Sequence, residues 1–353
     1  RGYLYQDWES TSLRAGNLGL TPVFRANRIS PVFKRTRLEV PFCIMEREVM
    51  RNAESVGLEL RSNSLNAVRV DEDGKILADV ETGFDPEVET VSQIIDFLGK
   101  VESQTGSFDE FGFAVPGLVD INRNKVAFSS QFPHEETSDL TSQILSATGK
   151  RVYLENDANA AAYGEFVAGA AKNAKDFFYV LTGAGIGGSL VLDKKVWHGA
   201  SGFAGEFGFV AVNSEGMRIE DLASADAIVR RAKNRLHQDP ASSLFEIGEE
   251  NITFDDIIRA ANKGDGLAEL ILERTGMFLG TAIASVINLL NIEKVVVGGA
   301  LMKAGELVLN AIRERASVLT FEPAFTAVTI EKGLLGENAC TVGAGLLALN
   351  RSE

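Results

Sequence analysis

Apolar and polar positions change period repeatedly along the chain, and each change marks a boundary between a strand and a helix. Residues 55–70 and 75–81 alternate with period two, and Asp71-Glu72-Asp73-Gly74 between them supplies turn chemistry, so the pair predicts a hairpin. Over 87–101 the period lengthens, with Val91, Ile94, Ile95 and Leu98 at helical spacing. Residues 111–115 predict a short buried strand stopped by Pro116-Gly117, and 152–154 another. The latter leads through Glu155-Asn156-Asp157 into an Ala-rich helix over about 158–171.

A second cycle begins at Asp176. A strand over 177–181 runs into Gly183-Ala184-Gly185-Ile186-Gly187-Gly188, and a further strand over 189–192 ends in the turn Asp193-Lys194-Lys195. Helices are expected over 219–236, 254–263 and 267–290. A strand over 294–297 ends in Gly298-Gly299-Ala300, and a helix follows over about 305–316. Residues 341–349 predict a terminal helix in which Gly343 and Gly345 permit close packing. The fold class is therefore α/β, laid out as two lobes with a ligand cleft between them.

At 353 residues the chain can bury two cores, and 45% hydrophobic against 24% charged content excludes a disordered or fibrous protein. The net charge of −14 argues against a broad nucleic-acid-binding surface. Residues 1–51 nevertheless carry nine Lys/Arg against five Asp/Glu, a net +4 that leaves −18 on the remainder, so a basic arm precedes an acidic body. Cys43 and Cys340 stand far apart without neighbouring Cys or His, which excludes a disulfide framework and a thiolate zinc knuckle and points to the cytoplasm. The longest apolar run, 277–292, holds 16 residues interrupted by Thr281, Ser285 and Asn288. It falls short of the roughly 18 expected of a spanning helix, so a buried helix and no membrane association are expected. No secretory signal is visible, and the chain opens on Arg1 rather than methionine, as a fragment or trimmed chain does.

Several motifs in order give these elements a more specific meaning: Val115-Pro116-Gly117-Leu118-Val119-Asp120, Glu155-Asn156-Asp157-Ala158-Asn159-Ala160-Ala161, the glycine loop at 183–188, Gly199-Ala200-Ser201-Gly202-Phe203-Ala204-Gly205-Glu206-Phe207-Gly208, and Val297-Gly298-Gly299-Ala300. From Ser55 to the C-terminus the chain resembles the ROK family of repressors and sugar kinases. The resemblance implies the two-lobed actin-like ATPase fold, also called sugar kinase or ribonuclease H-like. Expected divisions are a basic arm over 1–53, an N-terminal lobe over 54–145 completed by a C-terminal helix at about 337–353, and a C-terminal lobe over 146–336.

The resemblance also implies site residues. Asp157 would lie within reach of a sugar hydroxyl and take its proton as phosphate arrives, acting as general base if the protein is active; its plainer role is to cap the Ala-rich helix. Asn156 both donates and accepts, which suits a hydroxyl. Glu206 and Glu220 match sugar-binding glutamates, against the alternatives of a surface carboxylate and a helix-dipole partner. Gly117 would let backbone approach the sugar, or simply complete a Pro-Gly turn. Phosphate and nucleotide contacts would come from Glu59, Arg61, Asn63, Gly183, Gly185, Gly187, Gly298 and Gly299.

Departures from the family pattern bear on activity. Active members carry an N-terminal phosphate loop with Asp, a Gly-Gly pair, Thr and Lys; this chain has Glu59-Leu60-Arg61-Ser62-Asn63-Ser64, and Ala184 stands where a threonine is usual. A zinc knot of one His and three Cys normally follows the Glu206 motif; here Phe209 replaces the histidine and 210–218 holds no cysteine, so no zinc is expected. Phe203, Phe207 and Phe209 are expected to pack in its place. Family repressors place a winged helix-turn-helix upstream, and residues 12–20 resemble the start of one, with Arg25, Arg28, Lys34, Arg35 and Arg37 available to phosphates. The reading is a sugar-sensing transcriptional regulator that binds a monosaccharide or sugar phosphate, with operator DNA as a partner through an N-terminal region and a homodimer as its assembly. An ATP-dependent hexose or amino-sugar kinase using Mg-ATP, and an inert sugar-binding protein, stand as alternatives.

Overall fold

The computed structural model describes residues 53–129 and 139–351. The basic arm with its arginines, Cys43 and His134 lie outside the described residues.

Two five-stranded sheets share one topology. The first has the order β3-β2-β1-β4-β7, built from β1 (Glu54–Leu60), β2 (Ser64–Asp71), β3 (Ile76–Gly83), β4 (Glu110–Val115) and β7 (Arg151–Asn156). The short hairpin β5 (Leu118–Asp120) and β6 (Lys125–Phe128) branches from it. The second sheet has the order β10-β9-β8-β11-β12, from β8 (Phe177–Thr182), β9 (Ile186–Leu192), β10 (Lys195–Val196), β11 (Lys294–Gly299) and β12 (Thr329–Lys332). In each sheet three antiparallel strands in sequence are followed by two parallel ones, β4 and β7 in the first, β11 and β12 in the second. Parallel neighbours need crossovers, and helices supply them.

Residues 55–70, read as one strand, are two. They fold back at Arg61-Ser62-Asn63, where the Arg61 amide donates to the Ser64 carbonyl at 2.9 Å. Residues 219–236, read as one helix, break at Ser224, whose extended backbone ends helix Ile219–Ala223 and whose hydroxyl caps helix Ala225–Leu236 through the Ala227 amide. The first sheet runs on to Asn156, past the expected division at 145.

Each sheet has its own apolar core, and a third, alanine-rich core joins them. It combines Ala160, Ala161 and Ala162 of helix Asp157–Ala168, Cys340 and Ala344 of helix Ala339–Arg351, and Phe177, Tyr179 and Val296 of the second sheet. Small residues let these elements approach backbone to backbone. A Cβ on Gly57 would lie 1.8 Å from the Thr341 carbonyl oxygen, and one on Gly112 1.8 Å from that of Ala344. Helix Ala339–Arg351 thus packs directly on β1 and β4 of the first sheet. Helix Gly266–Leu290, at 25 residues, is long and apolar enough by composition to cross a membrane, but its Ile271, Leu272, Leu279, Ile283 and Ile287 are buried in the core of the second lobe.

Candidate functional site

The ends of β7, β8 and β11 and the turn after β1 place the candidate residues. Asn156 closes β7 and caps helix Asp157–Ala168, its Oδ1 accepting the Asn159 amide at 3.1 Å. Asp157 is thereby released from capping: its Oδ1 accepts from the Ala158 amide at 2.8 Å and from Asn156 Nδ2 at 3.0 Å. Asn156 Nδ2 also donates to the Gly117 carbonyl at 2.9 Å, drawing the β5–β6 hairpin to the site. Gly117 itself answers to the hairpin, with φ 134 and a Cβ that would lie 2.4 Å from the Phe128 carbonyl oxygen.

Four carboxylates act on one another here. Burial pushes the Asp157 carboxyl up to about 7, helped by the charges of Glu59 and Glu206 and opposed by the Ala158 amide. Glu206 is raised by burial and by Glu220. Its carboxylate forms no hydrogen bond or ion pair among the described residues. Glu220 is tied to the glycine loop, Oε2 accepting from the Ile186 amide at 3.3 Å, and a Cβ on Gly185 would meet that oxygen at 3.2 Å.

Gly183 and Gly187 of the loop differ from each other. Gly183 has open space where a Cβ would stand, whereas a Cβ on Gly187 would lie 3.0 Å from Ala158 Cβ. Gly298 and Gly299 are required by strand packing: a Cβ on Gly298 would fall 2.0 Å from the Tyr179 hydroxyl, and one on Gly299, at φ 87, 2.0 Å from the Thr182 carbonyl oxygen.

The β1–β2 turn is filled by protein. Arg61 donates through Nε and Nη2 to Glu59 Oε2 at 2.9 and 2.7 Å, and through Nη2 to the Glu337 carbonyl at 2.7 Å. Glu337 Oε1 in turn meets Lys303 Nζ at 2.5 Å, just beyond Gly299. The Cys340 thiol is buried, and burial with the Glu59 and Asp157 charges raises its pKa. Asn63 is exposed, its carbonyl accepting the Phe84 amide. The Arg61 side chain thus occupies the turn after β1, whereas a Cβ on Gly183 in the second loop would meet open space. Cys340, Glu337 and Lys303 escape sequence reasoning because they reach Glu59 and Arg61 from distant elements.

A model of the ROK family matches residues 55–351. The chain belongs to the ROK family. Glucokinase from Thermotoga maritima is 29% identical over 311 residues, 81% of this chain and 96% of that protein. The xylose repressor of Bacillus subtilis is 26% identical over 310 residues, 84% of this chain and 77% of the repressor. A ROK family glucokinase from Streptomyces griseus, solved with glucose and AMPPNP, superposes with a TM-score of 0.76 at 28% identity, covering 84% of this chain and 100% of that one. The duplicated sheets are those of the actin-like ATPase fold, and the family contains both kinases and regulators.

The expected aromatic support needs correction. Phe207 is 2% exposed and packs edge-on against Phe178 at 5.1 Å, but Phe209 is 59% exposed and Phe203 half-buried. The three do not share a buried face, because 207–209 form a 3-10 turn rather than an extended segment. A hairpin supports the turn instead: Ile219 N–H donates to the Val210 carbonyl at 3.0 Å, Val212 N–H to that of Met217 at 2.9 Å, and Arg218 lies 4.4 Å over the Phe209 ring. Among the described residues no three His, Cys, Asp or Glu side chains are grouped to hold a metal.

Proposed function

We propose that the protein is a sugar-sensing transcriptional regulator that binds a monosaccharide in the kinase-like cleft without phosphorylating it. The observation that carries the reading is Arg61, whose guanidinium neutralises Glu59 and is fastened to Glu337. The sugar side keeps Asn156, Asp157, Glu206 and Glu220, with acceptor atoms to spare. Since Asp157, Glu206 and Glu220 have no cation paired with them among the described residues, like-charge repulsion favours a neutral sugar over a sugar phosphate. Operator DNA, reached through an N-terminal region, belongs to the same reading and is supported by the repressors among the relatives; a two-fold dimer belongs to it because two-fold symmetry suits a palindromic operator.

Calorimetry against D-glucose and D-xylose, with and without Mg-AMPPNP, should give heat of sugar binding and none from the nucleotide. Sugar-dependent ADP release from ATP would overturn the reading in favour of a kinase. That second reading is favoured by the Asp157 carboxyl, poised near neutrality as a general base is. Retention of promoter fragments, relieved by sugar, separates a regulator from an inert sugar-binding protein.

A further inference from the structure

Glu155 precedes the sugar-facing pair Asn156-Asp157, yet its side chain is only 3% exposed. Its Oε1 accepts from the Asn156 amide at 3.0 Å and from Asn159 Nδ2 at 3.1 Å. Its Oε2 lies 3.2 Å from His198 Nε2 and 3.4 Å from Arg351 Nη2. Asn159 extends the network, its Oδ1 accepting from Ser189 Oγ on β9 at 2.7 Å. His198 immediately precedes the loop to Glu206, and its carbonyl accepts the Ala204 amide at 3.1 Å, closing the first turn of that loop. One buried carboxylate therefore touches the end of the first sheet, the Glu206 loop and the terminal helix, and reaches the second sheet through Asn159.

We propose that Glu155, through His198, is the positioning residue that sets Asn156-Asp157 and the Glu206 loop in register, so that one polar network aligns both halves of the sugar site. A carboxylate this buried is unfavourable unless every lone pair is engaged, and a buried pair adds little net stability over apolar packing. What such a network does supply is a defined geometry, and here the geometry joins two segments on different sheets. Arg351 leaves Glu155 with a cation when His198 is removed, so the expected loss is the tie to the loop rather than the fold.

The consequence for affinity rests on the sugar-binding reading; the consequence for loop order does not. Hydrogen exchange of the sugar-free protein and calorimetry against D-glucose and D-xylose test both in His198→Ala and His198→Gln. In His198→Ala the Ala204 amide should exchange about tenfold faster and the sugar that binds should weaken about five- to tenfold. His198→Gln, whose amide can donate toward Glu155, should restore most of each. Asp157→Asn should weaken sugar while leaving loop exchange unchanged, which separates contact from positioning. Unchanged exchange in His198→Ala, or no rescue by glutamine, overturns the proposal. If the parent protein binds neither sugar, the cleft reading falls while the exchange result still decides the positioning.

Discussion

Asp157 has one oxygen engaged by Ala158 and Asn156 and a carboxyl pushed up to about 7. Its ordinary unfolded value is about 3.9, so between about pH 4 and 7 the folded protein holds this proton more tightly than the unfolded chain. The Asp157 contribution to stability therefore falls as pH rises through that window. Asp157→Asn should gain on the parent between pH 5 and pH 8, by roughly 2.5 kcal/mol at most; a melting difference independent of pH would refute the assignment to burial. The same variant loses a charged acceptor, and so does Glu206→Gln, and each should weaken sugar binding by about 1.5 to 3 kcal/mol, or roughly ten- to hundredfold. Unchanged affinity in both would remove them from the site. The sequence could not separate capping from chemistry at this turn, since Asn and Asp cap equally well. Only the Asn156 Oδ1 bond to the Asn159 amide assigns the cap and frees Asp157.

The β1–β2 turn went unseen for a related reason. The polar run Arg61-Ser62-Asn63-Ser64 interrupts the alternation of 55–70 and shifts its phase, but it contains neither Gly nor Pro to mark a reversal. The identity of the departure from the family loop was legible; the fastening of Arg61 to Glu337, from the other end of the chain, was not. Replacing Arg61-Ser62 by Gly-Gly with Glu59→Asp should reopen the turn and raise Mg-AMPPNP affinity in calorimetry. Equal or weaker binding would mean that the guanidinium serves as a phosphate ligand instead. The hairpin after Glu206 makes a second contrast. Phe207→Ala should cost about 3 to 5 kcal/mol, as for a fully buried aromatic, while Phe209→Ala should cost under about 1 kcal/mol because its ring is largely in water. Urea unfolding of the two variants checks this. Elemental analysis should find no stoichiometric zinc, and chelator should leave melting unchanged; one zinc per chain, lost with sugar binding, would show that metal and not the hairpin holds this loop.

The alternation of strands and helices was legible along most of the chain because period and turn chemistry are local. The common strand order of the two sheets was not, since pairing β1 with β4 or β8 with β11 depends on contacts between distant segments. What unites the two sheets is the pair of helices Asp157–Ala168 and Ala339–Arg351, in contact through glycine on both sides. A Cβ on Gly343 would lie 1.7 Å from the Ala160 carbonyl oxygen, and one on Gly164 2.8 Å from that of Ala339. Both obstacles are helix backbone, which cannot turn aside as a side chain can. Gly343→Ala must therefore push the helices apart, at about 1 to 3 kcal/mol for overpacking or more. The displacement also shifts helix Asp157–Ala168, which begins at Asp157, so sugar affinity should fall together with stability. Gly99→Ala, on the exposed face of helix Thr90–Thr105 with nothing within 4 Å of a new Cβ, should instead stabilise by about 0.5 to 1 kcal/mol. Calorimetric melting with sugar titration distinguishes them, and a Gly343→Ala protein as stable and as tight-binding as its parent would mean that the helix pair does not hold the two halves of the site together.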